Sequence, residues 1–342
     1  MRIALDGMGG DQAPAVVVEG AMEALGQVPD VELVLVGRPE ALEPQLARLK
    51  APTGRIRVHP ASQVAGMEDA PSHVLRHLRD SSIRVCFDLH KAGEVQAVVS
   101  AGNSGAVMGV GMVVMGRLPE VDRPALASVF PGLMGPTVVV DVGANVDCSA
   151  TMLLQFGYMG AVYAEQVLGI ARPTVGLLSI GEEDVKGNAL VKHAHEFFKT
   201  SGLNFIGNVE GRDLFAGQAR VVVCDGFVGN VCLKLAEGMF SALKRVVKER
   251  IGQTLAGRLG TLLMRGTLKE VATHLDYENY GGAPLLGING VAFICHGASS
   301  PRAIASAVRL AAESVRGRVS DHVREGLAQY RGHLLGEAAV DQ

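Results

Sequence analysis

One repeated pattern constrains the fold of this 342-residue chain more than any other feature. Short apolar runs rich in Val and Ile are each followed by a turn and then by a helical pattern. Apolar runs without alternation are typical of strands buried on both faces, and strands that alternate with helices favour a mostly parallel sheet covered by helices on both sides. The sequence therefore predicts an α/β fold. The runs cover residues 3–6, 32–36, 96–100, 137–141, 174–180 and 220–224.

Five of these runs end in polar, glycine-rich loops of similar chemistry. In parallel α/β sheets, ligands bind outside the carboxyl ends of the strands. We therefore expect the five loops to converge on one edge of the sheet and to form one site there. The loops begin at Asp6, Ala101, Asp141, Gly181 and Asp225.

No proline- or serine-rich linker divides the chain, which predicts a single compact α/β domain over residues 1–335. Within it, residues 234–275 form a basic amphipathic helical segment, of which 234–269 carry eight Lys or Arg and two Glu. Three roles fit this segment: dimer packing as a helical hairpin, contact with an anionic membrane surface, and docking of an acidic carrier protein. The sequence leaves all three open.

Composition argues against several classes of function. The formal net charge of −3 gives no overall attraction to nucleic acid. The five cysteines form no Cys-x-x-Cys pair and no zinc-ligand spacing, so free thiols in a reducing cytoplasm are expected. Because Met1-Arg2 leads directly into an apolar strand, we expect no signal peptide and a cytoplasmic protein. Peripheral association with a membrane, either direct or through a partner enzyme, stays open.

Two of the loops have the character of anion-binding turns. Gly102-Asn103-Ser104-Gly105 precedes a helical pattern, and glycine lets backbone N–H groups converge where a helix N-terminus attracts negative charge. Asn103 or Ser104 acting only as a helix cap is the structural alternative. In the first loop, Gly9 and Gly10 suggest a second anion turn, for which a capped tight turn is the alternative.

Three further residues are candidates because of their positions. Lys186 stands in an acidic turn ahead of a helical pattern, where a cation opposes the helix dipole, and a broken local rule is typical of functional positions. A surface ion pair with a neighbouring carboxylate is the alternative. Asn230 opens a helix and His296 follows an apolar strand, so each is either a ligand-binding side chain or part of a cap or turn.

Several catalytic signatures are missing. Gln12 interrupts a G-x-G-x-x-G dinucleotide motif, no Gly-Lys dipeptide forms a Walker A loop, and Ala106 interrupts a G-x-S-x-G elbow at Ser104. His195-Glu196 lacks the second histidine of a zinc protease, because Lys199 takes its place. A nucleophilic triad, a zinc protease and a P-loop NTPase are therefore not expected.

Six loop motifs in the same order resemble the bacterial phosphate acyltransferase that acts on acyl carrier protein in phospholipid synthesis, and the resemblance covers residue 1 to about residue 330. Departures at Leu89-His90-Lys91 and Ala298 touch none of the candidate catalytic positions. The motifs are Asp6-Gly7-Met8-Gly9-Gly10-Asp11, Ser100-Ala101-Gly102-Asn103-Ser104-Gly105-Ala106, Arg117-Leu118-Pro119 with Asp122-Arg123-Pro124-Ala125, Asp141-Val142-Gly143-Ala144-Asn145, Gly181-Glu182-Glu183 with Lys186-Gly187-Asn188, and Asp225-Gly226-Phe227-Val228-Gly229-Asn230.

The resemblance implies that a fatty acyl group passes from acyl carrier protein to inorganic phosphate, giving acyl phosphate and free acyl carrier protein. It also implies a three-layer α/β/α Rossmann-like body related to phosphotransacetylases, a homodimer, and no metal or organic cofactor. The product would go to a membrane glycerol-3-phosphate acyltransferase. Catalysis is assigned to Lys186 and Asn230. The candidates for substrate or phosphate binding are Asp6, Gly9, Gly10, Gly102, Asn103, Ser104, Asn145, Asn188 and His296.

The chemistry of these residues agrees with that reaction. Phosphate is already an anion at neutral pH and a thioester has a good leaving group, so the site must mainly hold two anions together and stabilise an oxyanion. Lys186 suits the phosphate charge, Asn230 the oxyanion or the phosphate, and Ser104 a positioning role. Rival hypotheses are a phosphotransacetylase that uses acyl-CoA, a metal- and NAD-dependent decarboxylating dehydrogenase of related architecture, and a non-enzymatic protein that binds lipid or an acyl carrier.

Overall fold

The computed structural model describes residues 1–52, 54–252, 260, 263–267 and 280–328, and within these ranges eleven strands form one sheet. The strands are β1 (Arg2–Asp6), β2 (Glu32–Gly37), β3 (Ile56–Pro60), β4 (Ala97–Ser100), β5 (Ala125–Phe130), β6 (Thr137–Val140), β7 (Val175–Leu178), β8 (Phe205–Val209), β9 (Val221–Val223), β10 (Ala283–Leu286) and β11 (Ala292–Ile294). The helices are α1 (Ala15–Gln27), α2 (Pro39–Arg48), α3 (Pro71–His77), α4 (Ser82–Lys91), α5 (Ser104–Met115), α6 (Ala150–Gln166), α7 (Ala189–Lys199), α8 (Gly226–Gly252) and α9 (Pro301–Arg316).

Helices cover both faces of the sheet. Successive residues of a strand point to opposite faces, so Ile3 and Leu5 of β1 join the apolar core beneath α1, α6 and α9, whereas Ala4 joins the core beneath α4 and α5. In the other half of the sheet, Val139 and Val222 pack beneath α8. This arrangement confirms the predicted three-layer α/β/α fold. On the second face, α5 and α8 cover different halves of the sheet and leave a cleft between them.

The strand directions divide the sheet into two parallel blocks. The order is β3-β2-β1-β4-β11-β10-β5-β6-β9-β7-β8, with β3 to β11 parallel in the first block and β6, β9, β7 and β8 parallel in the second. The pairs β11–β10, β10–β5 and β5–β6 between the blocks are antiparallel. Three successive reversals leave the second block running opposite to the first.

The prediction that five loops converge on one edge is therefore wrong. The loops after β1 and β4 lie at one edge of the sheet, and those after β6, β7 and β9 lie at the opposite edge. The loop sequences could not show this, because strand direction depends on which strands pair across the middle of the sheet.

The first part of the basic segment predicted over residues 234–275 belongs to α8, which leaves several apolar side chains exposed, among them Val231, Leu235 and Met239. The rest of this segment, with the predicted hairpin, lies outside the described residues apart from 260 and 263–267. In the part of the chain that the structure describes, no helix is both long and apolar enough to cross a membrane.

Candidate active site

A buried carboxylate at the end of β1 joins the loops after β1 and β4. Oδ2 of Asp6 accepts a hydrogen bond of 2.7 Å from the Ser100 hydroxyl, and Oδ1 accepts one of 3.2 Å from the N–H of Met8. The Ser100 oxygen in turn accepts the N–H of Gly102 at 3.0 Å. Burial raises the pKa of Asp6, although hydrogen bonds from Ser100 and Ser82 oppose this. Asp6 and the Gly102 N–H therefore form hydrogen bonds within these loops and are not free to bind a ligand.

Substituting asparagine for Asp6 should change how stability depends on pH. Because the pKa of Asp6 is raised above its ordinary value of 3.8, the folded protein holds this proton more tightly than the unfolded chain does. The resulting stabilisation is complete below pH 3.8 and disappears as the pH rises through the raised pKa. Across this range we expect the free energy of unfolding of the wild type to fall relative to that of Asp6→Asn, measured by urea denaturation. Parallel pH profiles would contradict the expectation.

Glycine is required where the loop after β1 meets its neighbours. A Cβ at Gly9 would lie 2.7 Å from the backbone nitrogen of Gly102. Gly10 has a φ of +108°, which favours glycine, and the N–H of Asp11 donates to the carbonyl of Gly297 at 2.8 Å. Gly9 and Gly10 therefore bring the loops after β1, β4 and β11 into contact at one edge of the sheet.

At the start of α5, one polar residue caps the helix and the next is exposed in the cleft. The side-chain oxygen of Asn103 accepts the N–H of Ala106 at 3.0 Å, and its Nδ2 donates to the carbonyls of Met67 and Asp69 at 2.8 and 2.9 Å. Asn103 is thus the helix cap, as the structural alternative proposed, and it ties α5 to the loop before α3. Ser104 is exposed and lines the cleft.

A second buried carboxylate organises the loop after β6. Oδ1 of Asp141 accepts the backbone N–H groups of Leu126, Gly143 and Ala144 at 3.0, 3.1 and 3.0 Å. Its Oδ2 accepts the backbone and side-chain N–H groups of Asn145 at 2.7 and 2.9 Å. Burial raises the pKa of Asp141, and these hydrogen bonds oppose the rise. The candidate Asn145 therefore holds this loop in place, and Asp141, which we had not selected, organises it.

The first turns of α8 place Asn230 beside that loop. Oδ1 of Asp225 accepts the N–H of Val228 at 2.9 Å and caps the helix. The alternative in which Asn230 is the cap is wrong, because Asn230 lies in the second turn with its side chain exposed in the cleft. A Cβ built on Gly143 would lie 3.6 Å from Oδ1 of Asn230, so the loop and the amide are neighbours.

The loop between β7 and α7 carries Lys186 and is fastened to the rest of the fold by three contacts. Glu182 forms an ion pair with Arg212 at 2.8 Å, and Asp184 forms one with Lys199 at 3.0 Å. Nδ2 of Asn208 donates a hydrogen bond of 2.9 Å to the Glu183 carbonyl. Asn188 caps α7 by accepting the N–H of Val191 at 2.9 Å. Lys186 is exposed and pairs with no carboxylate among the described residues, contrary to the ion-pair alternative. Neither Lys186 nor Asn188 lines the cleft.

The cleft between α5 and α8 has a volume of about 260 Å³ and lies over β5, β10 and β11. Ser104 and His296 line it on the side of α5, and Asn230 lines it beside Gly143 on the side of α8. The structure thus brings together three of the predicted site residues from opposite edges of the sheet. Apart from these polar side chains, the walls are mainly apolar. They include Met108, Leu126, Phe130, Phe215, Leu233, Ala236 and Phe240.

The sequence analysis missed a charged pair in this cleft. Nζ of Lys234 lies 2.8 Å from a carboxylate oxygen of Glu237, one helical turn beyond Asn230. Lys234 is the only Lys or Arg among the described residues that line the cleft. The spacing of Asn230, Leu233, Lys234 and Glu237 is that of one helix face and could have identified the pair.

Metal ligands are the remaining kind of site to consider. Within the described ranges, no three His, Cys, Asp or Glu side chains are grouped as metal ligands would be. The expectation that the protein uses no metal or organic cofactor stays a prediction.

Comparison with known proteins establishes the family. The model of the family described as fatty acid synthesis protein matches residues 1–322. The chain belongs to this family. A phosphate acyltransferase of Geobacter sulfurreducens is 51% identical over 325 residues, which cover 95% of this chain and 94% of that protein. One of Heliobacterium modesticaldum is 49% identical over 317 residues, which cover 92% and 94%. These matches confirm the predicted family, the phosphate acyltransferases of fatty acid and phospholipid synthesis.

Solved structures confirm the predicted relation to phosphotransacetylases at the level of fold. A phosphotransacetylase from Streptococcus pyogenes is 18% identical with a TM-score of 0.63, and the EutD phosphotransacetylase from Staphylococcus aureus is 16% identical with a TM-score of 0.62. Each alignment covers 92% of this chain and 94% of the other. At these identities the likeness concerns the fold alone.

Proposed function

We propose that this protein transfers a fatty acyl group from acyl carrier protein to inorganic phosphate. The observation that carries the proposal is a mainly apolar cleft lined by the Asn230 amide and the start of α5, in a chain of the phosphate acyltransferase family. The apolar walls suit an acyl chain, and the polar side chains suit the anions that react with it.

The reaction needs no group beyond its two substrates. An oxygen of hydrogen phosphate attacks the thioester carbonyl carbon, so a C–O bond forms and the carbonyl oxygen becomes an oxyanion. The oxyanion collapses, the C–S bond breaks, and the sulfur leaves with the proton that hydrogen phosphate held. The products are acyl phosphate and the free thiol of the carrier protein. The protein has to orient the two reactants and stabilise the oxyanion.

Asn230 and Lys186 take the two central roles in this proposal. Asn230 donates from Nδ2 to the oxyanion, because its side chain is exposed in the cleft beside Gly143. Lys186 balances the phosphate charge, although its loop lies outside the cleft of a single chain. Ser104 and His296 bind the polar part of a substrate on the α5 side of the cleft. Asp6, Asn103 and Asn145 act indirectly, by holding the loops.

Acyl carrier protein as the donor is supported by the position of the basic segment. The first residues of the segment lie on α8, where Lys234 lines the cleft and Arg245 is exposed. An acidic carrier docked here would place its acyl thioester near the cleft. The exposed apolar residues of α8 suit a second copy of the chain, which supports a homodimer. Contact of the segment with anionic membrane and delivery of acyl phosphate to a membrane glycerol-3-phosphate acyltransferase complete the proposal.

The proposed donor is tested by offering acyl carrier protein and coenzyme A thioesters of the same acyl group in parallel, each with phosphate. We expect phosphate-dependent release of free carrier thiol, in equal amount to the acyl phosphate trapped as hydroxamate. Asn230→Ala should lower kcat by ~10²–10³, the usual cost of losing one oxyanion donor, whereas Asn204→Ala, the same change at an exposed asparagine outside the cleft, should keep full activity. Faster turnover of the coenzyme A thioester would favour a phosphotransacetylase, and binding without product would favour a carrier-binding protein.

A further inference from the structure

The apolar part of the cleft runs along α8 towards a cluster of aromatic rings. Asn230 and Phe240 both line the cleft, and the ten residue steps from one to the other correspond to ~15 Å along the helix axis at a rise of ~1.5 Å per residue. Leu233 and Ala236 line the same wall between them. This part of the cleft therefore forms a channel with an amide at one end and rings at the other.

Three phenylalanines line the aromatic end. The ring centroids of Phe130 and Phe215 are 5.7 Å apart, and those of Phe215 and Phe240 are 5.8 Å apart with an edge-on angle of 77°. Phe130 comes from β5, Phe215 follows the short 3₁₀ helix Gly211–Leu214, and Phe240 comes from α8. Because the rings belong to three separate elements and pack against each other, one ring cannot turn aside without disturbing the others.

The channel suits an occupant that is long, narrow and uncharged along its length. Lys234 and Glu237 form an ion pair, with Nζ 2.8 Å from a carboxylate oxygen, so their charges offset each other. The remaining side chains of the α8 wall between Asn230 and Phe240 that line the cleft are apolar. A linear acyl chain has this chemistry, with a polar carbonyl for the amide and a methyl end for the rings.

We infer that Phe215 and Phe240 set the upper limit of acyl chain length. The inference rests on the proposed function, since it takes the thioester carbonyl to lie at Asn230 and the methyl end to lie at the rings. Each methylene moved from water into apolar surroundings strengthens binding about fourfold, so kcat/KM rises with chain length until the methyl end meets the rings. A longer chain must displace a ring or leave methylenes in water, and kcat/KM then stops rising.

The test is kcat/KM for a series of saturated acyl donors on acyl carrier protein, each two carbons longer than the last. We expect Phe240→Ala to move the optimum to a longer donor by at least one step, and Phe240→Trp to move it to a shorter donor. The shortest donors should be used equally well by the wild type and by both variants, because they do not reach the rings.

Two further variants make the result decisive. Ser241→Ala changes the adjacent residue of α8, which is exposed and outside the cleft, and should keep the wild-type profile. Phe240→Leu replaces the ring with a smaller apolar side chain that still fills part of its space. It supplies the same test if circular dichroism shows that Phe240→Ala does not fold. An unchanged optimum in the folded Phe240 variants overturns the chain-length inference while acyl phosphate formation stands. If the wild type forms no acyl phosphate from any donor, the proposed function fails, and the inference fails with it.

Discussion

Replacing Lys186 with alanine should slow acyl phosphate formation by ~10²–10³ and leave the fold intact. The rate falls because one charged group that faces the phosphate in the transition state is lost. The fold survives because the Lys186 ammonium pairs with no described carboxylate, while the contacts made by Glu182, Glu183 and Asp184 hold the loop without it. Steady-state rates at varied phosphate concentration separate KM from kcat, and thermal unfolding tests the fold.

Lys192→Ala provides the matched control for Lys186→Ala. Lys192 is an exposed lysine on α7, in the first turns after the same loop, so its loss changes the net charge of this region equally. It should keep wild-type activity. An active Lys186→Ala protein with unchanged phosphate dependence would remove Lys186 from the mechanism. A large loss would mean that the loop approaches the substrate during the reaction, since Lys186 does not line the cleft of a single chain.

Gly229→Ala should both destabilise the protein and abolish most of its activity. A Cβ at position 229 would lie 1.8 Å from the carbonyl oxygen of Asp141, so α8 and the loop after β6 must move apart. Overpacking of this kind costs ~1–3 kcal/mol, and more when the neighbour is backbone. Asn230 is the next residue, and a shift of ~1 Å in a reacting group typically costs ~10²-fold in rate. Urea denaturation and kcat measure the two effects.

Gly238→Ala makes the same chemical change in the same helix with the opposite expectation. No heavy atom lies within 4 Å of a Cβ at Gly238, and alanine is a better helix former than glycine by ~1 kcal/mol. This variant should unfold at an equal or higher urea concentration than the wild type and remain active. If both variants unfold alike, the close approach of α8 to Asp141 does not exist in solution.

The layers of the fold were predictable because the sequence pattern that indicates each strand lies within the strand and its neighbouring residues. A strand buried on both faces needs an uninterrupted apolar run such as Val138 to Val140, and its neighbours in sequence show where it ends. The cap of α5 was also predictable, because Asn103 stands where this helix begins and accepts the backbone N–H group of Ala106. The motifs in the loops were specific enough to indicate the family from the sequence alone.

The way the loops meet was not predictable, because it depends on contacts between residues far apart in the chain. The antiparallel pairing of β5 with β6 turns the second block of strands around and separates the loop after Asp6 from the loop after Asp141. A turn sequence contains no information about this pairing. The same applies to the Gly102 N–H, which looked available to an anion but is bonded to Ser100.

Sequence alone therefore established the α/β class, the strands formed by the six apolar runs and the family, since these follow from periodic burial and from short motifs. Only the tertiary structure assigned the loop residues to different tasks. Asp6, Asn103 and Asn145 are bonded within the loops, while Ser104, His296 and Asn230 line one cleft from opposite edges of the sheet. The physical reason is that a polar side chain bonds to whatever lies nearest in space, and that neighbour is set by strand pairing and helix packing rather than by adjacent residues.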